Sequence, residues 1–216
     1  MSDVAKSVSE LRREYARETL DEKQVTPDPF NQFRHWFDQA RQSDLIDANA
    51  MTLASCDTHG QPSARIVLLK DFDAQGFVFY TNYDSRKGKE LARNPRASLL
   101  FYWGPLERQI RIQGSVEKVH PSESDEYYQQ RPIGARLGAW ASPQSQVIEN
   151  RAVIDSRLAE VTARFNGEPS RPPHWGGYRL NPNMLEFWQG RPDRLHDRVR
   201  YSLGNDMRWA IERLAP

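Results

Sequence analysis

Cysteine is almost absent from this chain of 216 residues: Cys56 stands alone, so no intrachain disulfide can brace the fold, and a reducing compartment is expected. It lies in the apolar run AMTLASC and reads as a core residue rather than a nucleophile. Net charge is lacking too. Lys and Arg number 30 against 29 acidic residues, a formal +1, which excludes a strongly basic nucleic-acid binder. No run approaches the roughly 20 apolar residues of a membrane span. The opening MSDVAKSVSELRREY has no apolar signal core, and the cytoplasm is the expected location. The dinucleotide glycine fingerprint, the Walker phosphate loop, the serine elbow and HExxH are also missing. The five histidines have no Cys, His or carboxylate neighbours at metal-ligand spacing, so no metal is expected.

Aromatic side chains are what the chain has instead. Six Trp, nine Phe and eight Tyr offset a hydrophobic share of 38 % and argue against disorder. TPDPFNQFRHWFDQA predicts a helix, with Asp28 as cap, Pro29 in the first turn, and Phe30, Phe33, Phe37 and Ala40 on one face. From residue 49 the period changes. AMTLASC, ARIVLLK, GFVFYT, ASLLFYW and LERQIRIQGSVEKV are short, β-branched and aromatic runs, and only the link at 84–94 between them looks helical. That pattern fits a small antiparallel barrel or sandwich, mainly β with flanking helices, better than alternating βαβ units. ESDEYYQQRP and the segment after it look helical, and so does VIENRAVIDSRLAEVTARF, with Val147, Ile154, Leu158, Val161 and Phe165 at helical spacing. GYRLNPNMLEFWQG, LHDRVRYSL and MRWAIERL return to strands. Residues 1–20 read as a tail with a weakly amphipathic helix, and 21–216 as one domain with helical insertions.

The polar residues raise sharper questions. Strand alternation puts Ile110, Ile112 and Val116 on one face and Gln109, Arg111 and Gln113 on the other, either a solvated face or one whose amides meet a heterocycle. The same parity sends Arg65 and Lys70 of ARIVLLK to opposite faces, so two separate anionic groups are as natural as one. Ser85, Arg86 and Lys87 sit at a turn entering a helix, where free amides and the dipole suit a phosphate; solvated charges would look similar. Read as a strand, RLHDR brings Arg194, His196 and Arg198 to one face as a cationic wall. Trp188, just before it, either packs in the core or covers an aromatic cofactor.

RREY, RIVLLK, FYTN with SRKGKEL, LERQ, YYQQRP, GAWASPQS, HWGGYR, EFWQG and RLHDR, in this order across residues 12–216, resemble the pyridoxamine (pyridoxine) 5'-phosphate oxidase family. The resemblance implies an FMN-binding split β-barrel acting as a homodimer, with sites between subunits, that oxidises phosphorylated B6 vitamers with oxygen. It implies FMN contacts at Arg65, Ile66, Val67, Leu68, Leu69, Lys70, Tyr80, Thr81, Arg86, Lys87, Gln109, Gln144, Ser145, Trp188 and Arg198. Arg65, Arg86, Lys87 and Ser145 suit the FMN phosphate, and Gln109 and Gln144 the polar edges of the flavin. On the substrate side it implies Lys70, Tyr127, Arg131 and Ala135, with Arg194, Leu195 and His196 over the pyridine, Arg194 and His196 being the catalytic candidates. Family members commonly carry serine where this chain has Ala135, so a phosphate hydrogen bond is lost or comes from a neighbour such as Arg136. Arg12, Arg13, Glu14 and Tyr15 match a segment that lies over the active site, giving residues 1–20 the expected role of a lid.

Overall fold

A computed structural model describes residues 14–216; Arg12, Arg13 and most of the expected N-terminal helix lie outside the described residues. In chain order the elements are α1 (Pro29–Arg41), β1 (Ala50–Cys56), β2 (Pro62–Leu68), β3 (Asp71–Asp73), β4 (Gly76–Asn82), α2 (Arg86–Arg93), β5 (Arg96–Trp103), β6 (Arg108–Lys118), α3 (Pro121–Gln130), α4 (Ile133–Ala141), α5 (Ala152–Phe165), β7 (Trp175–Gln189), β8 (Asp197–Leu203) and β9 (Trp209–Leu214). The fold is mainly β with flanking helices, and no helix among the described residues is long and apolar enough to cross a membrane. The chain gathers into two compact units. The larger holds Asn49–Phe101 and Ile112–Asn183; the smaller holds the described residues up to Ala48, Tyr102–Arg111 and Met184–Pro216.

In the larger unit the strand order is β2-β1-β5-β6-β7-β4-β3. β1 buries Met51, Leu53 and Ser55 on alternate positions, as a half-covered strand should, whereas β4 buries nearly every residue. β4 runs antiparallel to β7 with Tyr80 opposite Gly177. A Cβ at Gly177 would fall 2.7 Å from Val119 and 2.9 Å from the Tyr80 ring, so glycine is what lets that tyrosine lie across the sheet. DFDAQG, between the runs ARIVLLK and GFVFYT, supplies β3, where Phe72 pairs with Phe77 and their rings stack at 6.1 Å. α2 is capped by Ser85, whose Oγ accepts from Gly88 N at 3.2 Å. The long helix expected from Val147 starts only at Ala152 and fully buries none of its residues. Val147, five residues before the helix, is fully exposed; α5 packs on α4, with Phe165 meeting Trp140 at 4.9 Å.

In the smaller unit Asp28 caps α1 by accepting from Phe30 N at 2.8 Å. The buried face is Phe30, Gln32, Phe33, Trp36 and Ala40; Phe37, expected among them, is half-buried and stacks on Phe33 at 5.6 Å. Trp36 meets Phe187 of β7 edge-on at 5.3 Å. β7 pairs with β8, Leu185 opposite Tyr201 and Phe187 opposite Val199, and all four are buried. RLHDR departs from the expected strand. Asp193 and Arg194 take left-handed φ values of 55° and 61° in a tight turn over Pro192–Arg194, and β8 begins only at Asp197.

Candidate functional site

The larger unit contains a cavity of ≈ 770 Å³ lined by Ile66, Val67, Leu68, Lys70, Tyr80, Thr81, Lys87, Tyr127, Arg131, Ala135, Gln144 and Trp175, among others. One wall is aromatic. The rings of Tyr80, Tyr127 and Trp175 are nearly parallel, with centroids 4.0, 5.4 and 6.2 Å apart and interplanar angles of 20°, 12° and 9°. The other feature is positive charge. Lys70 Nζ lies 5.9 Å from the Tyr127 ring and the Arg131 guanidinium 4.6 Å from that of Trp175. Arg131 follows α3 in extended conformation, as its position before Pro132 demands. Its Nη1 is buried with no hydrogen-bond partner, and burial lowers its pKa. Burial also lowers the Lys87 pKa, with Arg65 adding repulsion; Lys87 Nζ donates to Gln144 Oε1 at 3.3 Å. A concave site with aromatic walls and incompletely compensated cations suits a planar anionic ligand.

The residues of ARIVLLK part company. Ile66, Val67, Leu68 and Lys70 reach the cavity, but the Arg65 side chain donates instead to Leu53 O at 3.1 Å and to Ser55 Oγ at 2.7 Å. Its second Nη meets Ser63 and the buried Glu90, at 3.4 Å from the carboxylate. Glu90 also receives Ser55 Oγ at 2.6 Å, Ser63 Oγ at 2.5 Å and Arg86 Nε at 2.8 Å. Burial raises the Glu90 pKa, but the serine and arginine donors outweigh it and bring it down to about 2. Arg86, held at Nε, leaves its outer edge exposed beside a second cavity of ≈ 370 Å³ that Gln144 and Ser145 also line. Ser145 has a left-handed φ of 71°. Leu69 is buried and lines neither cavity; its backbone N–H donates to Asn49 O at 2.9 Å. Arg136 donates to Gln129 Oε1 at 2.9 Å and does not line the large cavity, so the methyl group of Ala135 faces it without that substitute.

The remaining expected residues gather in the smaller unit. Tyr15, Trp188 and His196 form an aromatic group: Trp188 to His196 is 4.6 Å, Tyr15 to Trp188 5.8 Å and Tyr15 to His196 5.9 Å between centroids. His196 Nδ1 accepts from Arg191 N at 3.1 Å, which places the proton of the neutral ring on Nε2. Burial, then Arg194, lowers the His196 pKa and favours that neutral form. Arg194 and Leu195 are exposed on the turn. Arg198 Nε donates to the buried Glu186 at 2.9 Å, and Arg111 lies 3.5 Å from the same carboxylate. Gln109 is half-buried on the Arg111 face of β6, as alternation predicts. Glu14 is exposed, while the next residues are pinned: Ala16 N and Arg17 N donate to Glu107 Oε2 at 3.0 and 3.1 Å. Gly190 makes room for Tyr15, whose Cβ a side chain there would approach to 2.8 Å.

Glu90, Glu107, Glu186 and Trp175 are residues that sequence reasoning passed over. Only Glu90 left a local signal, four residues after Arg86 on one helix face.

The pyridoxamine 5'-phosphate oxidase family pattern matches residues 37–165, and that of the pyridoxine 5'-phosphate oxidase C-terminal dimerisation region matches 175–216. A pyridoxine/pyridoxamine 5'-phosphate oxidase of Ralstonia pickettii is 59 % identical over 210 residues, covering 97 % of this chain and 99 % of its own. That of Bordetella petrii is 57 % identical, covering 97 % and 100 %. Among solved structures, PhzG from Burkholderia lata in complex with tetrahydrophenazine-1-carboxylic acid superposes with a TM-score of 0.88 at 30 % identity, covering 94 % of this chain and 100 % of that one. A pyridoxamine 5'-phosphate oxidase-related, FMN-binding protein of Nostoc punctiforme shares the fold, with a TM-score of 0.67 at 20 % identity over 86 % and 96 %. With matches to both family regions and to relatives at nearly full length, the chain belongs to the pyridoxamine 5'-phosphate oxidase family, as an oxidoreductase of the split-barrel fold.

Proposed function

We propose that this protein oxidises pyridoxamine 5'-phosphate and pyridoxine 5'-phosphate to pyridoxal 5'-phosphate, as an FMN-dependent homodimer with sites formed between subunits. The observation that carries the reading is the cavity itself, where Lys70, Tyr127 and Arg131 converge beside parallel aromatic rings and the buried Arg131 Nη1 lacks a partner. FMN fits the donor set: the half-buried Lys87 ammonium, the outward edge of Arg86 and the Gln144 and Ser145 side chains are those a phosphate and a flavin edge require. When bound, FMN supplies the two-electron acceptor that protein side chains lack.

Lys70 and Arg131 bind the substrate phosphate, and Tyr127 lies beside them. Arg65 acts through the Glu90 hub as a brace with a long-range field, its donors being turned toward protein acceptors. Trp188 and His196 bear on the pyridine, with neutral His196 presenting Nε2–H and Arg194 supplying positive charge near the reacting carbon. The segment at Tyr15 acts as the lid that excludes water. Two electrons and two protons leave the substrate, one hydrogen from C4' and one from its hydroxyl or amino group, and oxygen takes both electrons and both protons to give hydrogen peroxide; water then hydrolyses the imine of the amine substrate to release ammonia.

The likeness to PhzG supports one rival, a flavin-dependent oxidoreductase acting on a ring that carries a different anion. Anaerobic rapid mixing with pyridoxamine 5'-phosphate decides between them. Loss of oxidised-flavin absorbance followed by pyridoxal 5'-phosphate formation is the expected result; bound flavin that this substrate leaves oxidised would favour the rival.

A further inference from the structure

We propose that Trp175 is a positioning residue for Arg131, holding its guanidinium in the cavity by its aromatic face so that the cation meets the substrate phosphate with its charge uncancelled. The proposal rests on the reading that the cavity takes a phosphorylated pyridine.

The contrast with the arginines braced by carboxylates carries it. Arg65 and Arg86 are braced by Glu90, and Arg198 by Glu186, so each gives up much of its charge to the group that orients it. Arg131 has no carboxylate partner among the described residues. What lies against it is aromatic: Trp175 at 4.6 Å from its guanidinium carbon and Tyr128 at 6.0 Å. An indole face attracts a cation without neutralising it and without using an N–H bond to oxygen. That matters for Nη1, which is buried with no acceptor in the protein.

Trp175 can serve because it is itself immobile. It is 7 % exposed, begins β7 opposite Asn82, stacks on Tyr80 at 5.4 Å and meets Tyr128 edge-on at 5.3 Å. Arg131, by contrast, hangs from the extended link between α3 and α4, with no helical turn to direct it. The ring therefore supplies an orientation that the backbone does not.

The test uses the FMN-loaded protein with pyridoxal 5'-phosphate as probe. Trp175→Leu is expected to weaken its binding about tenfold and Trp175→Phe about threefold, in line with a partly desolvated cation–π contact. FMN affinity, measured separately on the apoprotein, should stay within about twofold. In an Arg131→Leu background, Trp175→Leu should have no further effect, because the cation it positions is gone. Unchanged probe affinity in Trp175→Leu, additive losses in the cycle, or equal weakening of FMN and probe would overturn the proposal. If Trp175→Leu does not fold, the Phe variant run through the same cycle decides the question in the same way. Failure of the underlying reading looks different: the wild-type protein itself would then not bind pyridoxal 5'-phosphate.

Discussion

The cavity of the larger unit and the aromatic group of the smaller unit use the same device in unequal surroundings. Each has a buried carboxylate shared by two arginines, Glu90 by Arg65 and Arg86, and Glu186 by Arg198 and Arg111. Glu90 receives two serine hydroxyls as well, and its residues stand on regular strands and a helix. Around His196, in contrast, orientation comes from a turn with two left-handed residues and from ring contacts with Trp188 and Tyr15. Where charge must be held still, the protein surrounds it with regular structure; where a ring must be covered, it uses a turn and a strap. The larger unit should therefore respond to substitution mainly through stability and anion affinity, and the smaller mainly through rate.

The largest effect is expected at the Glu90 hub. Glu90→Gln should destabilise the protein by about 3 kcal/mol near neutral pH, the cost of removing a buried charge that accepts from two serines and two arginines. Because the folded-state pKa lies at about 2 against an ordinary 4.5, the Glu90 contribution is full above pH 4.5 and disappears as pH falls toward 2. Urea unfolding of both proteins across that window should show the difference shrinking as pH falls. Next, Arg131→Leu should weaken pyridoxal 5'-phosphate binding roughly a hundredfold, about 2.7 kcal/mol, while titration of the apoprotein with FMN stays near wild type. In the smaller unit, His196→Asn should slow flavin reduction about tenfold with little change in urea midpoint. An unchanged reduction step would remove His196 from the chemistry and erase the contrast between the units. Smallest is Ala135→Ser, which should tighten substrate binding about threefold by adding one hydroxyl to the cavity wall. Equal affinity for both proteins would mean that the missing hydroxyl has no consequence.

Local patterns pointed to part of the cavity: Lys70 and Arg65 were expected to diverge, and Ser85 caps α2 just before Arg86 and Lys87, whereas Tyr127, Arg131, Ala135 and Gln144 were named by the family resemblance alone. The reading failed where the backbone leaves those patterns. RLHDR alternates like a strand, yet positive φ at Asp193 and Arg194 breaks the alternation, a choice that neither residue type announces. The apolar positions from Val147 to Phe165 repeat at helical spacing, but spacing alone cannot say that the helix would start at Ala152 and bury none of its residues fully. Glu90, Glu107 and Glu186 are ordinary acidic residues until burial makes them hubs.

By itself the sequence determined a mainly β chain with flanking helices, its family, and which side chains of each strand share a face, since these follow from periodicity and ordered motifs. Only the tertiary structure decided that Arg65 braces rather than lines the cavity, that Arg131 leans on Trp175, and that Glu107 pins the segment beside Tyr15. Those are contacts between residues far apart in the chain, and their energies depend on burial and direction, which no local pattern encodes.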